Sequence, residues 1–213
     1  MSQIYKLAPK LLAKSFFISD PDAARRVLNR ERMRISFHLL ASVALLAPAG
    51  ATTLLKMSMN DLILQSTSIV RAKVTGSRSV STGRGDIYTY YQLQVSETLK
   101  QTGILPAEVA VPGGVYGNLR QIGIGSPTLT QGQDYVLFLW TSRTGMTQVI
   151  GLSQGMLTLT QDAAGDTVVN RAAAADQMLD KAGKPVTDTA LKMKWSDLRA
   201  LILKTIPKTA AAK

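Results

Sequence analysis

The chain has 213 residues, with 25 basic and 14 acidic side chains, a net charge of +11, no cysteine and one histidine, His38. Because the segment around His38 has the pattern of a cleavable export signal, we expect the mature protein to lack both imidazole and thiol groups. That composition excludes Ser-His-Asp and Cys-His catalysis, thiol redox chemistry, and zinc sites built on histidine or cysteine.

An export signal is predicted over residues 33–51. Arg34 contributes positive charge to the n-region at the start of the signal. The apolar run from Phe37 to Leu46 is too short to cross a bilayer. Two small-residue cleavage sites follow, one ending at Ala49 and one at Ala51, and cleavage after Ala51 is preferred. We therefore expect a secreted or periplasmic bacterial protein. An uncleaved membrane anchor is the alternative.

Residues 1–32 precede this signal and are interpreted as a start codon assigned too early or as a long n-region. The acidic residues Asp20 and Asp22 count against a transit peptide, which is typically poor in acids. Residues 52–213 carry 17 basic and 11 acidic side chains, a net charge of +6. These charges are scattered rather than clustered, so binding to nucleic acid is not expected.

The remaining chain is long enough for one domain with its own core, which we predict over residues 52–206, before a disordered tail at 207–213. A short helix is predicted over Ser58–Gln65, with Ser58 as its N-cap. A half-buried strand follows over 68–76, because apolar and polar side chains alternate there. Residues 81–86 then form a predicted turn, and we interpret their Arg-Gly-Asp tripeptide as turn chemistry rather than an integrin motif.

The clearest strand is predicted over Ile87–Leu99. One face carries Tyr91, Leu93, Val95 and Leu99, and the other carries Tyr88, Tyr90, Gln92, Gln94 and Ser96. Aromatic rings on a polar strand face can stack on single-stranded nucleic acid or on sugars. Tyr88, Tyr90 and Gln92 are therefore candidate ligand-binding residues. Cross-strand packing of the two rings under a loop is the alternative.

A glycine-rich loop is predicted after a strand that begins at Pro106 and ends at Pro112-Gly113-Gly114. Glycine N–H groups can hold an anion, and Arg120 is the candidate ligand-binding residue of this loop. No Gly-Lys-Ser/Thr follows it and no helix is indicated after Gly125, so neither a phosphate-binding loop nor a dinucleotide fingerprint is present. A mobile loop without a ligand is the alternative.

The later elements complete a mainly β chain. Further strands are predicted at Tyr135–Trp140 (buried on both faces), Gln148–Leu152, Met156–Thr160 and Val168–Val169, the last two as a hairpin across 162–165. Helical spacing of Leu191, Trp195, Leu198 and Ile202 predicts a final amphipathic helix, capped by Thr187 or Asp188. The predicted fold is a small antiparallel OB-like barrel with a short N-terminal helix and a C-terminal amphipathic helix.

The order of these elements resembles a family of exported bacterial proteins of unassigned function. It is also remotely similar to the netrin-like OB barrel of metalloproteinase inhibitors. The resemblance covers about residues 58–160 and depends on the hydrophobic pattern and on a Gly-x-x-Tyr-x-x-Phe strand at Gly132–Phe138. That inhibitor family binds the protease zinc through an N-terminal cysteine, which this chain lacks, so inhibition by that route is not implied.

Catalysis would have to use carboxylates. Asp86, Glu97, Glu108 and Asp134 could supply the pair that glycosidase chemistry needs, but their spacing selects no pair. No metal site and no cofactor is predicted. By exclusion, we predict a non-catalytic binding module for an unknown protein or an anionic envelope polymer. The alternatives are a cofactor-independent hydrolase using paired carboxylates, and a structural protein tethered to the envelope by an uncleaved signal.

Overall fold

A computed structural model describes residues 53–174 and 176–207 of the chain. The predicted signal with its cleavage residues Ala49 and Ala51, residues 1–32, and the tail from Lys208 onward lie outside the described residues. Within the described part, no helix is long and apolar enough to cross a membrane.

The described residues form two helices and twelve strands. The helices are α1 (Met59–Gln65) and α2 (Trp195–Thr205). The strands are β1 (Leu54–Leu55), β2 (Ser68–Ser81), β3 (Ile87–Gln101), β4 (Glu108–Tyr116), β5 (Leu119–Ile122), β6 (Asp134–Thr141), β7 (Thr147–Val149), β8 (Met156–Gln161), β9 (Thr167–Arg171), β10 (Met178–Leu179), β11 (Pro185–Val186) and β12 (Leu191–Lys194). The predicted mainly β class, with a helix near each end of the domain, is confirmed.

Nine strands form one antiparallel sheet. Its order is β12-β9-β8-β6-β2-β3-β4-β5, and β7 pairs with β6 beside this path. Strands β1, β10 and β11 form a separate small sheet. The main sheet curls so that β4 lies against β7, but the two strands exchange no ladder hydrogen bonds. Among the described strands the sheet is therefore not a closed barrel, and the OB-like barrel predicted from the sequence is not confirmed.

The core lies on both faces of this sheet. On the helix face, Ile69, Val136 and Phe138 pack with α1 and α2. On the inner face, residues such as Leu137 and Leu139 pack with β4 and with alternate residues of β3. Strand β6 is thus buried on both faces over most of its length, as its continuous apolar run predicts.

The start of the domain follows its local sequence signals. Ser58 caps α1, because its hydroxyl accepts the Asp61 N–H at 3.1 Å while the Asp61 carboxylate accepts the Ser58 N–H at 3.1 Å. This reciprocal arrangement is a capping box. The turn at 82–86 joins β2 to β3, with Gly85 at φ +87°, so the predicted turn is present at Arg84-Gly85-Asp86.

The predicted glycine-rich loop is a β-hairpin. Strand β4 does not end at Pro112-Gly113-Gly114 but continues to Tyr116 and returns as β5. Gly113 and Gly114 have φ values of +98° and +138°. Positive φ values often end a strand. Here they bend β4 without ending it, as a β-bulge does.

Two further predictions were wrong in detail. Helix α2 begins at Trp195 after Lys194 rather than at Thr187 or Asp188, because Leu191 pairs with Arg171 in the β12–β9 ladder. Leu99 packs on the helix face with α1 and α2, not with Tyr91, because the β2–β3 register shifts and reverses the alternation.

Candidate functional site

The candidate binding residues of β3 lie on a part of the helix face that neither helix covers. Tyr91 and Leu93 pack on the inner face, so the alternating residues Tyr88, Tyr90 and Gln92 point the other way. We call this uncovered surface the aromatic face. It consists of Arg78 on β2, Tyr88, Tyr90 and Gln92 on β3, Glu108, Ala110 and Pro112 on β4, Trp140 on β6 and Gln148 on β7.

Strand register brings the first members of this face together. Tyr90 lies between Arg78 of β2 and Ala110 of β4, and Tyr88 is paired with Pro112. The two rings therefore lie next to each other along β3, with Arg78 on the β2 side and Ala110 and Pro112 on the β4 side. Both tyrosine side chains are half-buried, so each ring is held in place while part of it remains accessible.

Arg78 holds the Tyr90 ring in place. Its guanidinium carbon lies 4.7 Å from the ring centroid, and one of its terminal nitrogens lies 2.9 and 3.0 Å from the two Glu108 carboxylate oxygens. Cation–π attraction and the ion pair together restrain Arg78 over the Tyr90 ring and beside Glu108. Arg78 was not predicted as a site residue, because only the strand register places it opposite Tyr90.

A glycine makes room for the neighbouring amide. A Cβ atom at Gly76 would lie 2.8 Å from Oε1 of Gln92, and Gly76 is the β2 partner of Gln92. The Gln92 side chain therefore lies across β2, beside the Arg78–Tyr90 cluster. Its amide offers donors and an acceptor at the edge of the aromatic rings.

A cavity of about 220 Å³ extends the aromatic face across β4 to β7. Ala110 and Pro112, the neighbours of the two tyrosines, line it on one side, and Trp140 and Gln148 line it on the other. Trp140 is 44 % exposed. The sequence analysis predicted Trp140 to be buried on both faces, and nothing in the apolar run itself indicates that the helices stop short of the end of β6.

Arg120 lies elsewhere. It lines a cavity of about 230 Å³ under the β4–β5 hairpin, together with Thr89 and Tyr91. These two β3 residues point away from Tyr88 and Tyr90 because side chains alternate along the strand. The structure therefore brings Tyr88, Tyr90 and Gln92 together and leaves Arg120 on the opposite side of β3.

The four candidate carboxylates lie on separate elements. Glu108 is paired with Arg78, and Glu97 accepts the Arg199 Nε–H at 2.6 Å. Asp86 lies exposed in the β2–β3 turn, and Asp134 begins β6 opposite Lys73. Among the described residues, no group of three or more acidic or histidine side chains could hold a metal ion.

The carboxyl groups with displaced pKa values lie outside the aromatic face. Hydrogen bonds from Lys181 and Ser58 lower the pKa of Asp61 to about 2. The Arg171 guanidinium, through its hydrogen bonds, lowers the pKa of Asp188 to about 2. Both groups stabilise loops and helix ends, so they have structural roles.

No family model matches the chain, and no curated protein matches it.

Proposed function

We propose that this protein is a non-catalytic binding module that holds an extended envelope polysaccharide on its aromatic face. One observation carries the proposal. Tyr88 and Tyr90 lie beside Pro112 and Ala110 of β4, and these two residues line a cavity whose other side is formed by Trp140 and Gln148. The Arg78 guanidinium lies over the Tyr90 ring.

The chemistry of the face suits a sugar chain. Sugar rings present a face of C–H groups that packs on a flat aromatic ring, and a rim of hydroxyls that needs donors and acceptors. The aromatic face offers both, since Gln92 and Gln148 provide amides and the Arg78–Glu108 pair provides charged groups over the Tyr90 ring. Only part of each ring and a shallow cavity are accessible, which fits a chain lying along the surface.

The wider setting supports the same proposal. The net charge of +6 over residues 52–213 favours attraction of an anionic polymer over long distances. The curled sheet, with β4 against β7, is consistent with an open form of an OB-like barrel, a fold whose members bind oligosaccharides on such faces. Export to the periplasm or medium, proposed from the signal at 33–51, would bring the protein to that polymer.

The test is affinity electrophoresis of the protein in gels containing soluble peptidoglycan strands, alginate or a neutral glucan. We expect at least one polymer to retard it. Changing Tyr88→Ala together with Tyr90→Ala should weaken this binding at least about tenfold. A nucleic-acid base stacked on an aromatic ring contributes about 1–3 kcal/mol, and we expect two rings that pack on sugars to contribute at least the lower value together. Thermal unfolding of the variant shows whether the fold is retained.

Tyr116→Ala is the matched control, because Tyr116 is an exposed tyrosine on β4 outside the aromatic face. It should bind like the unchanged protein. Retardation by none of the polymers, or equal retardation of the double variant, would contradict the proposal. Loss of folding in the double variant would show that the two rings belong to the core, in which case Gln92→Ala and Gln148→Ala test the face instead.

A further inference from the structure

The β4–β5 hairpin concentrates exposed apolar side chains. The described residues include ten exposed large apolar side chains, and five of them fall within residues 115–124. They are Val115, Tyr116, Leu119, Ile122 and Ile124, exposed by 50 to 77 %. Scattered surface apolar residues need no explanation, but a cluster in one segment indicates an interaction site.

These side chains project from both faces of the hairpin. Val115 is paired with Arg120, and Ile122 lies two residues further on the same face. Tyr116 is paired with Leu119 on the other face. A flat protein surface, or a second copy pairing along β5, would leave one or both faces in water. A lipid interface surrounds an inserted hairpin and covers both.

The hairpin is held rigidly. Gly117 has φ +57° at the first position of its two-residue turn, as a type II′ turn requires. Its base is bound to β3 because Oε1 of Gln121 accepts the Ile87 N–H at 2.6 Å and the Thr89 hydroxyl donates to the Gly113 carbonyl at 2.8 Å. Little conformational entropy is then lost when it inserts.

Its charge suits an anionic surface. Residues 113–125 contain Arg120 and no aspartate or glutamate. The neighbouring β2–β3 turn carries Arg84 and Asp86, which offset each other, so the local balance is positive. An arginine beside apolar residues can extend to phosphate groups while its stem lies in the interface, and Tyr116 is suited to the same depth.

We propose that the β4–β5 hairpin inserts into the headgroup region of an anionic lipid membrane, with Arg120 at the phosphate level. The protein would thereby lie on the membrane surface through this hairpin. The proposal is independent of polysaccharide binding, because neither Arg120 nor any of the five exposed apolar residues at 115–124 belongs to the aromatic face.

The test uses the absence of cysteine from the chain. Leu119→Cys is labelled with a nitrobenzoxadiazole dye and mixed with vesicles of phosphatidylglycerol and phosphatidylethanolamine. We expect its emission to rise and shift to shorter wavelengths. Ile104→Cys, at an apolar residue that is 92 % exposed outside the hairpin, is the matched control and should not change.

Because the dye reports only its own surroundings, binding through another segment of the chain cannot imitate this result. Unchanged emission at residue 119, or the same change at residue 104, would overturn the proposal. A change at residue 119 that appears without vesicles and grows with protein concentration would show instead that a second copy covers the hairpin, and would equally overturn it.

The charge requirement is tested on the same labelled protein. Arg120→Gln should raise the lipid concentration that gives half of the emission change about fivefold, since one basic residue near an anionic surface contributes about that factor. Leu203→Ser, at an exposed leucine on α2, should leave it unchanged. If Arg120→Gln leaves the lipid concentration for half of the emission change unaltered, the assignment to anionic lipid is overturned.

Discussion

Asp188 shows how single residues stabilise the C-terminal part of the domain. Its side chain is 1 % exposed and pairs with two guanidinium nitrogens of Arg171, and it also accepts the Ala174 N–H at 2.8 Å. The same arginine donates to the Thr189 carbonyl at 3.2 Å. One buried ion pair thus connects the end of β9 to the segment that leads into β12.

We expect Asp188→Asn to lower the free energy of unfolding by about 3 kcal/mol at neutral pH, because removing one partner leaves a buried charge uncompensated. The carboxylate has a pKa of about 2 when folded, against an ordinary value of 3.8. Its contribution is therefore complete above the ordinary value and is lost as the pH falls toward about 2. The free energy of unfolding in urea should therefore differ less and less between the unchanged protein and Asp188→Asn as the pH falls over that range.

Asp86→Asn serves as the control, because Asp86 is exposed in a turn and its side chain has no hydrogen bond among the described residues. It should change the free energy of unfolding by less than about 0.5 kcal/mol. If the loss in free energy of unfolding caused by Asp188→Asn stays constant down to the lowest pH, the stabilisation does not come from the charge of Asp188 and the prediction is contradicted.

At the same scale, alternation along one strand was enough to predict that Tyr88, Tyr90 and Gln92 share a face. The partner residues could not be predicted, since Arg78 and Trp140 join the face only through strand pairing and the curl of the sheet. Arg120 was predicted as a ligand residue, which no observation tests. Its position is nevertheless opposite the aromatic face.

At the scale of single elements, the position of the β4–β5 hairpin depends on the glycine at residue 114. A Cβ atom at Gly114 would lie 2.3 Å from the Thr89 hydroxyl oxygen and 2.8 Å from the Ser79 hydroxyl oxygen, and Gly114 has φ +138°. The lack of a side chain is what lets the base of the hairpin lie against the β2–β3 ribbon.

Gly114→Ala should therefore cost about 3 kcal/mol of stability, from the strained backbone and the steric overlap together. Gly132→Ala is the control, because Gly132 also has a positive φ, +84°, but no atom lies within 4 Å of its added Cβ. It should cost about 1 kcal/mol. Equal losses for the two variants in chemical unfolding would show that packing against Thr89 and Ser79 contributes nothing.

Elements with strong local signals were predicted well. The capping box of α1, the alternation of β3 and the apolar run of β6 each determine local structure without help from distant residues. Strand β5 was missed because glycines on both sides of it indicated a loop. The two-residue strands β1, β10 and β11 are too short to show a period, and they exist only because they pair with each other.

In the whole molecule, the two helices cover only part of one sheet face. Helices α1 and α2 pack beside Ile69 and Phe138, and they reach neither the turn that ends the β2–β3 ribbon nor Trp140. Strand β7 pairs with β6 near Trp140, beside the start of β2. The uncovered area is where the aromatic face and its cavity lie. The mainly antiparallel class was predictable from the strand count, whereas barrel closure depends on hydrogen bonds between β4 and β7 that no local pattern encodes.

The aromatic face is tested most directly by nuclear magnetic resonance of the protein titrated with the polysaccharide that retards it. The two tryptophans supply an internal comparison, since Trp140 is 44 % exposed and Trp195, the first residue of α2, is 9 % exposed. We expect the indole N–H signal of Trp140 and the backbone signals of Tyr88, Tyr90 and Gln92 to shift, while the indole signal of Trp195 stays. Unchanged signals from all four, with shifts around Thr89, Tyr91 and Arg120 instead, would place the ligand on the inner face and contradict the proposed function.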